Sequence, residues 1–137
     1  MSEILKERTY LRGIALQALY EKELTDHAVE EIINNRFETI DFDAESKAFI
    51  RQLIQGVAQN QEQIDRLITS KRRDWSFDDM ALVDRNILRI AVYEFGVAKC
   101  TPVEVSINES VELAKKFGSE TSPRFVNGML RAIASDR

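Results

Sequence analysis

The stretch MALVDRNILRIAVYEF, residues 80–95, decides the fold. At about 100° per residue, Val83, Ile87, Leu88, Ile90, Ala91, Val92 and Phe95 sweep more than half of a helix circumference. A surface helix carries a narrower apolar stripe. This helix is therefore packed on several sides, as the central post of a bundle. The rest of its circumference is a mixed strip of Arg85, Asn86, Arg89 and Tyr93. Two carboxylates interrupt the apolar arc. Asp84 falls between Leu88, Ala91 and Phe95, and Glu94 falls between Val83 and Ile87. A charge on such an arc is costly unless it is paired. Each acid is either paired internally with an arginine or open to a partner protein, and the sequence leaves both alternatives standing.

Just before this helix, Ser76 and Asp79 have the spacing of a capping box, and Trp75 offers a large apolar ring at the junction between two halves of the chain. After it, Gly96 and the stretch VAKC end the helix. Thr101, Pro102 and Glu104 then predict a new start, with Thr101 as N-cap and proline at the first helical position. Val103, Ile107, Val111 and Ala114 form its core face, with Leu113 and Phe117 beside it, and Gly118 stops it. Ser122 and Pro123 open a final helix, in which Val126, Met129, Leu130 and Ile133 face inward. Phe125 lies at the edge of that arc, either as core margin or as a ring free to stack.

Toward the N-terminus the same period recurs. A first helix runs roughly over residues 4–24, with Leu11, Ile14, Ala15, Ala18 and Leu19 on the core side. Lys6, Thr9, Gly13, Gln17 and Tyr20 share another side at three- and four-residue steps, and Arg8 and Arg12 stand at the border. Gly13 lacks a Cβ and would admit another backbone. Thr25 or Asp26 is positioned to cap a second helix reaching about Phe37. Asp43 is positioned to cap a third, carrying Phe49, Ile50, Leu53, Ile54 and Val57. A fourth begins near Gln61 with Ile64, Leu67 and Ile68 inward, and Lys71, Arg72 and Arg73 close it. The chain thus reads as all-α: about seven helices in two packed sub-bundles, roughly 1–72 and 76–137, forming a single domain over 1–137.

Composition narrows the function. A charged fraction of 31% beside 44% hydrophobic residues is the profile of a soluble globular protein. One cysteine, Cys100, excludes an internal disulfide and fits a reducing cytoplasm. No apolar run approaches the ~20 residues of a membrane span, and MSEILKER lacks the apolar region of an export signal. The net charge of −4 argues against a general nucleic-acid coat protein, but leaves room for a local basic face. A single histidine, His27, offers no histidine metal cluster, and Cys100 has no neighbour for zinc or thiol chemistry. There is no glycine-rich phosphate loop and no nucleophile elbow. The expectation is a non-enzyme without metal or cofactor.

Three blocks carry a resemblance. RGIALQALY at 12–20 comes first, followed by DRNILRIA at 84–91 with Tyr93 and Glu94. INESVELAK at 107–115, with Phe117 and Gly118, continues as RFVNGML at 124–130. In order and spacing they resemble the NusB family of bacterial transcription antitermination factors. That resemblance implies a fold of two packed helical sub-bundles. It also implies a cytoplasmic, non-catalytic adaptor that binds boxA-type single-stranded RNA of ribosomal RNA leaders. The partners it implies are the ribosomal protein NusE and the antitermination complex on RNA polymerase. Carried over by position, the RNA face would use Lys6, Arg8, Arg12, Gln17 and Tyr20, with Phe117 and Phe125 adding rings. Asp84 and Arg85 would meet NusE. Glu3 and Glu7 dilute the basic opening, so RNA binding is expected to be weak alone and tighter with the partner. Similar helical domains also precede certain ribosomal RNA methyltransferases, but these 137 residues hold no cofactor-binding domain. The alternative is a helical protein-interaction module, or a self-associating one forming a homodimer, with little intrinsic RNA binding.

Overall fold

Apolar residues three and four apart give each segment one face to bury, and burial decides how the helices stack. The computed structural model describes residues 2–71 and 77–135, with side chains from Arg8 onward. Seven α-helices are seen among the described residues, and no strand. These are α1 (Ser2–Leu24), α2 (Val29–Thr39), α3 (Ala44–Gln59), α4 (Gln61–Thr69), α5 (Leu82–Val92), α6 (Val103–Phe117) and α7 (Ser122–Ser135). A short 3₁₀ turn, Phe77–Asp79, precedes α5, and a π-helical turn, Tyr93–Val97, comes after it. No helix of the described residues is long and apolar enough to cross a membrane.

α5 packs against α1, α4, α6 and α7, as its wide apolar arc requires. Ile87, Leu88, Ile90, Ala91 and Val92 are all essentially inaccessible to solvent. α1 lies across α2, α3, α5 and α6, and α6 pairs with α7. The α7 stripe of Val126, Met129, Leu130 and Ile133 is buried as its spacing predicts, each side chain contributing about 1.5–3 kcal/mol. Leu67 departs from expectation: it is 39% exposed on α4, while Ile64 and Ile68 go to the core.

Helix ends show where local chemistry acted as the sequence suggested and where it did not. Asp43 caps α3, its Oδ1 accepting the Ser46 N–H at 2.7 Å. That backbone bond holds the Asp43 carboxyl below the usual aspartate range. α2 begins after Ala28 with no side-chain cap. Thr25 instead bonds back to the Glu21 carbonyl and takes the His27 N–H. α6 begins after Pro102, so Thr101 is not its cap. Ser122 accepts the Ser119 N–H at 2.9 Å and closes the turn into α7. The predicted capping serine, Ser76, with Trp75, Arg72 and Arg73, lies outside the described residues. α5 starts at Leu82, after Ala81.

One close approach sets the α3 packing. A Cβ at Gly56 would collide with the Tyr93 ring, so only glycine lets that ring lie on the α3 backbone.

Candidate nucleic-acid and partner interface

Two ionic clusters and two recesses hold the candidate residues other than Lys6 and Arg8. The first cluster joins α1, the π turn and α6. Arg12 on α1 donates through Nε and Nη2 to both oxygens of Glu94, each at 2.8 Å, and through Nη1 to Glu109 at 2.7 Å. Thr9 donates to Glu109, and Thr101 donates to Glu94 at 2.8 Å. Burial alone would lower the Arg12 pKa, but the bonds to Glu94 and Glu109 outweigh it and raise the pKa above its ordinary value. Arg12 is only 5% exposed. Its guanidinium is thus turned inward, and its fork is occupied by carboxylates rather than presented to a strand. Glu94 takes the first of its two alternatives, an internal arginine pair.

The second cluster ties the end of α1 to α5 and α4. Glu23 accepts from Arg85 at 2.7 Å, from Asn86 at 2.7 Å and from Arg89 at 2.8 Å. Arg89 also grips Asp65 of α4 through Nε and Nη2. Both guanidiniums lie over the Phe77 ring, at 5.5 Å for Arg85 and 4.7 Å for Arg89. Burial would raise the Glu23 pKa, but the bonds from Arg85 and Asn86 and the charges of both arginines prevail and hold it low. Arg85 also donates to the Phe77 carbonyl at 3.1 Å. The mixed strip of α5 is therefore interior. Arg85, expected at a partner surface, closes the fold against α1.

Asp84 faces the other way. It is 9% exposed, and its Oδ1 has no hydrogen-bond partner among the described residues. It lines a recess of about 480 Å³ with Asp79, Met80, Ala81, Ser119, Thr121, Arg124 and Phe125. A buried carboxylate oxygen left without a donor is destabilising. Its place in the first turn of α5 offsets part of that cost, since the helix N-terminus carries partial positive charge. Phe125 is half-buried at the recess wall and packed against the core.

A second recess, about 500 Å³ and largely apolar, is lined by Leu16, Gln17, Tyr20, Glu21, Leu24, Thr25, Arg36, Val83 and Phe117. Tyr20 is 37% exposed and Leu24 57%. Gln17 accepts from Arg36 at 3.2 Å. A Cβ at Gly13 would stand 3.2 Å from the Phe117 ring, so the glycine admits a ring there and not the backbone that its position suggested. Val83 of α5 and Phe117 of α6 line this recess, whereas Asp84 and Ser119 line the other.

The candidates therefore separate. Gln17, Tyr20 and Phe117 share one recess, and Asp84 and Phe125 share another. Arg8 lies elsewhere, on the α3 flank of α1, its Cζ 4.2 Å over the Phe49 ring. The Lys6 side chain lies outside the described ones. Sequence reasoning missed Leu24 and Arg36 as recess walls and Phe49 as a platform. Leu24 carries a usable signal: a bulky apolar residue off the core face, in the last turn of α1. Among the described residues no group of histidine, cysteine, aspartate and glutamate side chains could hold a metal.

Compared with known proteins, residues 9–135 match the model of the NusB family. The transcription antitermination protein NusB of Bacillus subtilis (strain 168) is 42% identical over 132 residues, covering 96% of this chain and 97% of that protein. The structure of T. maritima NusB superposes with a TM-score of 0.85 at 37% identity, covering 95% of this chain and 92% of that one. A crystal structure of antitermination factors NusB and NusE in complex with dsRNA gives a TM-score of 0.86 at 26% identity, over 96% and 98% of the two chains.

Proposed function

The chain belongs to the NusB family, and on that premise we propose that it is a non-catalytic RNA-binding adaptor of transcription antitermination. It takes boxA-type single-stranded RNA of ribosomal RNA leaders together with the ribosomal protein NusE, and the pair joins the antitermination complex on RNA polymerase. The observation that carries this reading is the recess that brings Gln17, Tyr20 and Phe117 together beside Val83 of α5. The Tyr20 and Phe117 rings suit unstacked bases, which stack on aromatic faces for about 1–3 kcal/mol each. Asp84, at the wall of the other recess with a buried oxygen that lacks a donor among the described residues, marks where a protein partner would contact α5. Arg8 is the cation left to meet phosphate, Lys6 remains a candidate beside it, and Phe125 stands between base and partner. Arg12 and Arg85 enter this reading as the residues that hold α1 in place. The relative solved with NusE and RNA supports the pairing of partners. The reading keeps 1–137 as one domain, because α5 packs on helices from both halves, and puts the protein in the cytoplasm, where its lone cysteine stays reduced.

The test is RNA affinity with and without NusE across salt concentrations. The expected result is weak binding alone, much tighter binding with NusE, and a shallow log–log salt slope of about −0.7 per phosphate contacted. Equal affinity in both arms counts against it. The exposed Leu24 and Tyr20 on an apolar recess favour a second reading, self-association or protein binding through that face. A sedimentation series in which the chain dimerises and RNA fails to bind, with or without NusE, would support that reading instead.

A further inference from the structure

Arg8 and Arg12 stand four residues apart on α1, where like charges repel. Their guanidiniums lie over one ring, that of Phe49 on α3, with Arg8 Cζ at 4.2 Å and Arg12 Cζ at 5.3 Å. The two cations are treated very differently. Arg12 is saturated by Glu94 and Glu109. Among the described residues Arg8 has no hydrogen bond and no ion pair, and only the ring holds it. An arginine stacked on a ring still offers its edge N–H groups, which match a phosphate two at a time. Phe49 is itself packed against the core, so the platform is rigid. From these contacts we propose that Phe49 is a positioning residue for RNA binding: its ring fixes the Arg8 guanidinium as a phosphate clamp at the N-terminal end of the RNA path. The clamp stands nine residues before Gln17, about 14 Å along the helix axis and about half a turn around it, so a strand that touches both crosses α1. The inference rests on the RNA reading above.

The geometry requires a π face rather than mere bulk, and that makes it testable. The chain in complex with NusE is titrated with boxA-type single-stranded RNA at several salt concentrations. Wild type, Phe49→Leu, Phe49→Tyr, Arg8→Ala and the double variant Phe49→Leu/Arg8→Ala are compared. Phe49→Leu keeps apolar volume and loses the ring; the expected effect is an affinity loss of about threefold, the scale of an exposed cation–π contact. Its salt slope should also be shallower by up to about 0.7, the share of one phosphate. Phe49→Tyr should bind like wild type, and the double variant no worse than Arg8→Ala alone. A purely structural ring would lower the melting temperature without changing the salt slope. Full affinity in Phe49→Leu, or a loss that adds to that of Arg8→Ala, overturns the proposal. Should Phe49→Leu fold poorly, the Phe49→Tyr slope and the Arg8 Nε–H resonance decide in its place: a resonance in wild type no more restrained than in a free arginine refutes the platform. A wild-type complex that binds no RNA overturns the RNA reading itself, and that outcome is told apart because it appears before any substitution.

Discussion

Glu94 and Asp84 both interrupt the apolar arc of one helical stretch, and their surroundings could hardly differ more. Glu94, in the π turn, is 1% exposed and receives three bonds, two from Arg12 and one from Thr101. Asp84, at the start of α5, is 9% exposed and keeps an oxygen without a donor among the described residues. Burial is similar; satisfaction is not. One carboxylate is part of what holds α1 to α6. The other costs the fold something, because its buried oxygen lacks a donor among those residues. A buried charge is therefore informative only with its hydrogen-bond inventory beside it.

Glu94→Ala attacks the satisfied member of the pair. It leaves the Arg12 guanidinium buried with Glu109 alone, and losing one side of a buried pair costs about 3–5 kcal/mol. A urea midpoint that barely moves would mean the cluster relaxes at little cost. Asp84→Ala should do the opposite. Stability should hold or rise by about 1–2 kcal/mol, since the relieved desolvation, about 1–3 kcal/mol, exceeds the lost interaction with the helix N-terminus, about 0.3–1 kcal/mol. NusE affinity should fall about tenfold, near 1.4 kcal/mol, measured by calorimetry. A marked drop in melting temperature with partner binding intact would return Asp84 to an internal role.

Thr101→Val removes one bond to Glu94 and nothing from Asp84. The expected loss is about 1 kcal/mol in denaturant unfolding, with NusE binding unchanged. Glu23 adds a pH signature. Its pKa is held below the ordinary value. The stability it contributes is therefore complete above the unfolded value of about 4.3, and is lost as pH falls below that toward the folded value. The gap in urea midpoint between wild type and Glu23→Gln should be full at neutral pH and shrink in acid. A gap that grows in acid would reverse the sign of the argument.

Much of the fold was legible because helical periodicity is a local property. The α7 stripe and the Asp43 cap depend on neighbours a few residues away, and both formed as the spacing predicts. The site was less legible, for the complementary reason. Arg12 sits at the border of the α1 faces, and its main partner is 82 residues distant. Nothing within a turn of Arg12 says whether its guanidinium goes in or out. Thr101 has every local mark of a cap, yet its hydroxyl goes to Glu94, seven residues back. A bond to a buried carboxylate is stronger than one to a backbone N–H that water can also satisfy. Gln17, Tyr20 and Phe117 could be grouped from the sequence by resemblance alone, and the recess that unites them arises only when α6 lies along α1.

The π turn sets a phase. Its Ala98 N–H reaches back five residues to the Tyr93 carbonyl at 2.8 Å, one residue more than an α-helix spans. That extra residue rotates the downstream chain by about 100° relative to uninterrupted α geometry. The turn acts as a calendar's leap day: one surplus unit keeps two unequal cycles aligned, here the α5 packing pattern and the arrival of Thr101 at Glu94. The number of residues between Glu94 and Thr101 is thus a structural parameter in its own right.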